Sequence, residues 1–229
     1  MLTAIIVAGG SSQRMGFDKT FALLAGRPII AHSLVAFEET ESVDDIIVVG
    51  RADRLSELRA LVADHSFTKV REVIAGGTHR QDSVNEGLLR LDATAEFVAV
   101  HDAARPLVTP AEIELVFEAA RTHGAASLAA PVADTLKRAD RDGVVSGSVQ
   151  REGVYAMQTP QIFKRELLIG AYARVATEKV PITDEVSAVE RLGHKVVLVP
   201  NEEYNFKITY PADLRLAELV LSGRASTTR

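Results

Sequence analysis

Cysteine is absent from this 229-residue chain. Disulfides and thiolate zinc sites are thereby excluded, and a reducing, cytoplasmic location is the expectation. Long hydrophobic runs are missing as well. None approaches the roughly 20 residues of a membrane span. The opening stretch from Met1 to Val7 has no basic residue and meets glycines too soon for a signal peptide. Positive charge is in deficit: 26 Lys and Arg stand against 31 Asp and Glu, a net of −5. An acidic chain is a poor general partner for nucleic acid or an anionic membrane, so neither is expected. What is present is ordinary globular material, 47 % hydrophobic and 25 % charged. This length buries a core that needs no disulfide or metal staple, and one α/β domain over 1–229 is expected.

Val- and Ile-rich runs at 2–8, 45–49, 70–75, 96–100, 126–132 and 195–200 predict strands. They hardly alternate in polarity, as buried strands do. Between them Ile30, Leu34 and Phe37 share one helical face, as do Val84, Leu88 and Leu91, and Ile113, Phe117 and Ala120. Pro28 and Pro110 mark helix starts, and Thr109 is a good N-cap. Helices are also expected at 164–177, 183–193 and 211–222, with a polar tail from Ser222 that frays. Strand–helix alternation implies a mainly parallel sheet with helices on both faces, its ligands lying beyond the carboxyl ends of the strands. The alternation breaks at 133–156. There Asp142-Gly143 sits between two strand-like runs too polar for the main core, and the pattern suits a projecting β-arm or a solvated hairpin equally.

Three clusters follow strands. Ala8-Gly9-Gly10-Ser11 leads to Arg14 and Lys19: small residues expose backbone N–H groups and two cations join them, which suits a triphosphate better than a plain turn. It is neither a G-x-G-x-x-G fingerprint nor a Walker A loop. Gly76-Gly77-Thr78-His79-Arg80-Gln81-Asp82-Ser83 repeats the theme. Ser83 is a candidate to read a base edge and Arg80 to touch phosphate, while Thr78 or Asp82 in a mere capping role is an equal reading. His101-Asp102-Ala103-Ala104-Arg105-Pro106 places a carboxylate at a strand's end, fit for Mg²⁺, or for an ion pair with Arg105. His101 reads as a packing residue. Arg151, Gln158-Thr159-Pro160-Gln161, Thr183-Asp184-Glu185 and Lys207-Ile208-Thr209 read singly as structural: Thr183 as an N-cap, Lys207 as a solvated strand residue.

In order, these blocks resemble the 2-C-methyl-D-erythritol 4-phosphate cytidylyltransferases of the non-mevalonate isoprenoid pathway. Ala130 to Arg138 and Tyr210-Pro211-Ala212-Asp213-Leu214 extend the likeness over nearly the whole chain. The resemblance implies a Rossmann-like nucleotidyltransferase domain with a mixed, mainly parallel sheet, which joins CTP to a polyol phosphate and releases pyrophosphate. It implies Arg14, Lys19, Arg151 and Lys207 as catalytic residues. For CTP it implies Ala8, Gly9, Gly10, Ser11, Gly77, Arg80, Ser83 and Asp102. For the sugar phosphate it implies Asp102, Ala103, Arg105, Thr135, Arg151, Thr159, Thr183, Asp184, Lys207 and Thr209. Mg²⁺ is the implied cofactor, on Asp102, and a homodimer is implied in which the arm carries Arg151 into the partner's site. The first loop is closer to molybdenum-cofactor guanylyltransferases, and Thr78 stands where the family often has an acid. Ribitol-5-phosphate cytidylyltransferase is the nearest alternative, and a catalytically dead nucleotide-binding regulator is the alternative of another class.

Overall fold

The computed structural model describes residues 1–10 and 18–227, with side chains through Arg224. Ser11 and Arg14 lie outside the described residues. The architecture grows from β1 (Leu2–Ala8), buried at all seven positions. Its side chains alternate between the two faces of a sheet. Leu2, Ala4, Ile6 and Ala8 enter one apolar cluster, Ile5 and Val7 another. A strand covered on both sides has no polar face, which is why this run reads as continuous hydrophobe.

Then come the hairpin β2 (Leu23–Leu24) and β3 (Arg27–Pro28), α1 (Ile29–Glu39), β4 (Val43–Gly50), α2 (Leu55–Asp64), β5 (Val70–Ala75) and α3 (Arg80–Leu88). The chain continues through β6 (Phe97–Asp102), α4 (Pro110–His123), β7 (Ala125–Pro131), β8 (Leu136–Ala139), β9 (Val145–Val149) and β10 (Tyr155–Lys164). It closes with α5 (Arg165–Glu178), α6 (Glu185–Glu190), β11 (Val197–Pro200) and α7 (Pro211–Thr227). Seven strands form the central sheet in the order β11-β7-β10-β6-β1-β4-β5. Within this sheet, among the described strands, only β10 runs antiparallel to its neighbours. The expected mixed, mainly parallel sheet is therefore present.

Helices cover both faces. Ile30, Leu34 and Phe37 of α1, Leu58 and Leu61 of α2, and Ile113, Val116 and Ala120 of α4 pack on one. Val84 and Leu88 of α3, Leu168, Ala171 and Val175 of α5, and Val186, Ala188 and Val189 of α6 pack on the other. Truncating a fully buried Ile such as Ile5 to Ala typically costs about 2–5 kcal/mol. The Thr109 hydroxyl accepts from the Glu112 N–H, as the expected N-cap, and the Glu112 side chain returns the contact to complete a capping box. A third cluster joins Leu24, Ile29, Leu107 and Ile208 to Ala217 of α7.

Several expectations need correction. β10 was not expected as a strand. Its centre reads Gln158-Thr159-Pro160-Gln161, and the β10–β7 register shifts between Met157 and Gln161, around a proline with no N–H to donate. Tyr155 and Ala156 pair with Pro131 and Ala130 in the main sheet, so the arm ends before β10. The arm itself is the β8–β9 ribbon, a separate two-stranded sheet turning at Gly143 with φ +82°. α2 was unforeseen, since only Leu58 and Leu61 of it are buried. α7 stays helical to Thr227, where fraying from Ser222 was expected.

Candidate active site

The strands β1, β5 and β6 deliver the loops that follow them to the carboxyl end of the sheet. A Cβ on Gly76 would sit 2.4 Å from the Ser83 Oγ, and one on Gly9 3.2 Å from it. Ser83 thus wedges between both glycine loops, and only a residue without a side chain fits at Gly76. Gly77 is equally constrained, with the Asp82 Cβ 2.3 Å from any added Cβ. The Asp82 carboxylate accepts the His79 N–H at 2.9 Å, the capping role considered for it.

Two cavities open here. One of about 350 Å³ is lined by Ala8, Gly9, Gly10, Lys19, Ser83 and Ala103, among others. A second of about 260 Å³ is lined by Arg105, Met157, Gln158, Thr159, Thr183 and Asp184, among others. Arg80, Asp102 and Lys207 line both and form their shared wall. In that wall Arg80 Nε donates to Asp102 Oδ1 at 2.8 Å, and Lys207 Nζ donates to Asp102 Oδ2 at 2.8 Å. Burial opposes the charge on Asp102, but Arg80 and Lys207 outweigh it and hold the carboxyl well below the usual range. Lys19 Nζ donates to the Ile208 carbonyl at 3.3 Å, which brings it beside the Lys207 segment. That segment, 204–209, is irregular and not the strand expected around Lys207.

Arg105 is anchored by its own fold. It donates to the carbonyls of Asn205 (2.8 Å) and Met157 (3.1 Å), and its Nε lies 3.9 Å from Asp102. The ion-pair reading of Asp102 and Arg105 therefore holds only at long range. Thr159 is buried in β10, and its hydroxyl accepts the Asp102 N–H at 3.1 Å. Asp184, not Thr183, caps α6 through the Ser187 N–H; Thr183 is exposed and bonds the Ser187 hydroxyl. The Thr209 hydroxyl donates to the Lys207 carbonyl and lines neither cavity. Thr135 and Arg151 line neither cavity of this chain and are exposed at the arm's base, where Arg151 donates to the Ala133 carbonyl. His101 is the packing residue expected: fully buried against Phe37, with burial lowering it to about 3.

Asp102 is the one carboxylate lining the first cavity among the described residues, and no described group of three His, Asp or Glu forms a metal cage. A single ionised carboxylate beside room for phosphates suits Mg²⁺, which commonly takes one or two carboxylates and completes its shell from phosphate and water. The motifs alone did not single out Glu185. It lies one residue past Asp184, fully buried, and accepts Arg80 Nη1 at 2.7 Å and Nη2 at 2.9 Å. A lone acid beside an N-cap carries no sequence signal for this; only the fold brings it to Arg80, 105 residues away.

Residues 2–223 match the family model IspD, 2-C-methyl-D-erythritol 4-phosphate cytidylyltransferase. A protein of that name from Dehalococcoides mccartyi is 42 % identical over 95 % of each chain. The crystal structure of 4-diphosphocytidyl-2C-methyl-D-erythritol synthase from Anaerococcus prevotii superposes with a TM-score of 0.85 at 30 % identity, covering 96 % of each chain. That of the Thermus thermophilus cytidylyltransferase gives 0.80 at 30 % identity, over 95 % of this chain and 98 % of the other. With the glycine loops, the charged wall and the whole length of the chain in agreement, this protein belongs to the 2-C-methyl-D-erythritol 4-phosphate cytidylyltransferase family.

Proposed function

We propose that the chain transfers the cytidylyl group of CTP to 2-C-methyl-D-erythritol 4-phosphate, giving 4-diphosphocytidyl-2-C-methyl-D-erythritol and pyrophosphate. The observation that carries this reading is the pair of adjoining cavities with a charged wall in common. CTP takes the first, its phosphates against the Gly9-Gly10 backbone and Lys19, its base against Ser83 and Gly77. The sugar phosphate takes the second, beside Thr159, Thr183 and Asp184. The two reacting groups then meet at Asp102 and Lys207.

A phosphate oxygen of the sugar phosphate attacks the α-phosphorus of CTP. One P–O bond forms, and the bond to the β-phosphate breaks with its electron pair leaving on pyrophosphate. A phosphate monoester has its second pKa near 6 and is mostly dianionic at pH 7, so no general base is needed. His101 suits that: it is buried and turned to the Thr159 hydroxyl and the Arg105 carbonyl. Catalysis consists of aligning two mutually repelling anions and stabilising charge on the leaving group. Lys207 has three donors, so it can keep Asp102 while reaching a phosphate. Mg²⁺ held by Asp102 would neutralise triphosphate charge. Arg105 shapes the second cavity from its carbonyl anchors.

The family favours methylerythritol phosphate over ribitol phosphate as acceptor. In this reading the protein works in the cytoplasm as a homodimer, with the β8–β9 arm and Arg151 serving the partner's site. Pyrophosphate release with CTP or GTP and a panel of polyol phosphates tests the assignment. CTP with methylerythritol phosphate should be fastest. GTP turning over as fast or faster would sink the cytidylyl reading, and ribitol 5-phosphate as best acceptor would sink the methylerythritol one.

A further inference from the structure

Behind the shared wall lies a carboxylate that touches neither cavity. Glu185, at the first turn of α6, is fully buried. It takes both Nη groups of Arg80, and its Oε1 also accepts the Tyr172 hydroxyl at 2.9 Å. Its backbone N–H is fixed too, donating to Gln161 Oε1 on β10 at 3.1 Å. Arg80, so held, directs its remaining Nε to Asp102. The result is a line of alternating charge, Glu185–Arg80–Asp102–Lys207, in which every member but Glu185 lines the cavities.

A planar guanidinium gripped on two nitrogens has no freedom to rotate. Three cations surround Asp102, and Arg80 alone meets Oδ1, while Lys207 and, at 3.9 Å, Arg105 meet Oδ2. The geometry points to Glu185, steadied by Tyr172, as the positioning residue of the reaction: it locks Arg80, and through Arg80 sets the direction of the Asp102 carboxylate. This deepens the function proposed above and rests on it. Groups that orient a site's directly acting residues commonly cost ten- to a hundredfold in activity when replaced.

The test uses the full-length protein and four variants: Glu185→Gln, Tyr172→Phe, Arg80→Met and the double variant Arg80→Met with Glu185→Gln. Glu185→Gln keeps the shape but sets an amide N–H₂ against an Arg80 N–H. It should lower kcat about ten- to a hundredfold, with the KM for CTP moving less than about threefold, since Glu185 touches no cavity. Tyr172→Phe, which removes one donor and keeps the ring packing, should lower kcat about two- to fivefold, the scale of a single hydrogen bond. If Glu185 acts through Arg80, adding Glu185→Gln to Arg80→Met changes kcat little. It also raises the unfolding midpoint above that of Arg80→Met alone, because the single variant strands a buried carboxylate. Multiplicative losses in the double variant would overturn the proposal. So would unchanged kcat in Glu185→Gln, or a loss wholly in the KM for CTP. Should Glu185→Gln fail to fold, an unchanged kcat in Tyr172→Phe overturns it. A wild type inactive on CTP and methylerythritol phosphate would instead reject the proposed function.

Discussion

The shared wall and the β8–β9 arm hold their charges in opposite ways. In the wall every carboxylate is answered within the chain: Asp102 by Arg80 and Lys207, Glu185 by Arg80 and Tyr172. Such groups are half or fully withdrawn from water, where an unpaired charge costs several kcal/mol. The arm is mostly exposed, and Val144 and Val145 are each 61 % accessible. Its turn is fixed by Asp140, whose carboxylate accepts the N–H groups of Asp142 and Val144. An isolated two-stranded hairpin with two bare valines is marginal in water. The wall is thus finished within one chain, while the arm leaves both valines in contact with water in this chain.

The contrast is broken most severely from the wall's side. Lys19 should act on charge that develops as pyrophosphate leaves, so Lys19→Ala is expected to lower kcat about 10²–10³-fold with smaller changes in KM. A loss below tenfold in a folded protein would remove Lys19 from the site.

The arm is tested by a subunit mixture. Arg151→Ala should raise the KM for the sugar phosphate, lower kcat about ten- to a hundredfold, the scale of hydrogen bonds to a charged group, and leave CTP binding nearly unchanged. Heterodimers of Arg151→Ala with Lys19→Ala contain one intact site only if Arg151 serves its partner. Recovered activity supports exchange of the arm; verified heterodimers without recovery would reject it.

The smallest effect sharpens the wall's interior. His101 is lowered by burial to about 3, against about 6.5 when unfolded. The unfolded chain therefore binds a proton that the folded one refuses. The stability tied to neutral His101 is full above pH 6.5 and falls as the pH drops toward 3. At pH 5 the loss is about 2 kcal/mol relative to pH 7.5. Urea midpoints at both pH values should show it, and His101→Gln should flatten the difference. An equal pH dependence in the variant would mean that His101 takes up its proton in the fold as readily as in the unfolded chain.

How much was legible depended on whether a signal was local. Six strands and the loops following β1, β5 and β6 could be read, because buried strands and glycine turns write themselves into consecutive residues. β10 was missed because its centre trades apolar side chains for Gln158, Thr159 and Gln161, which bind Asn201, His101 and Glu185 instead of filling a core. Lys207 read as an ordinary exposed residue for the same reason: its partner Asp102 lies 105 residues away. Glu185 was invisible because its role exists only once α3 and α6 are side by side.

The position of β1 also bears on how the molecule is made. It lies at the heart of the sheet, between β4 and β6, yet precedes both in the chain. During synthesis at roughly 5–20 residues per second, on the order of 5–20 s separate the emergence of β1 from that of β6. Throughout that interval a seven-residue apolar ribbon, Leu2–Ala8, has at least one unpaired edge. The nascent chain therefore carries an apolar strand with an open edge until β6 arrives, the kind of exposure from which aggregation starts.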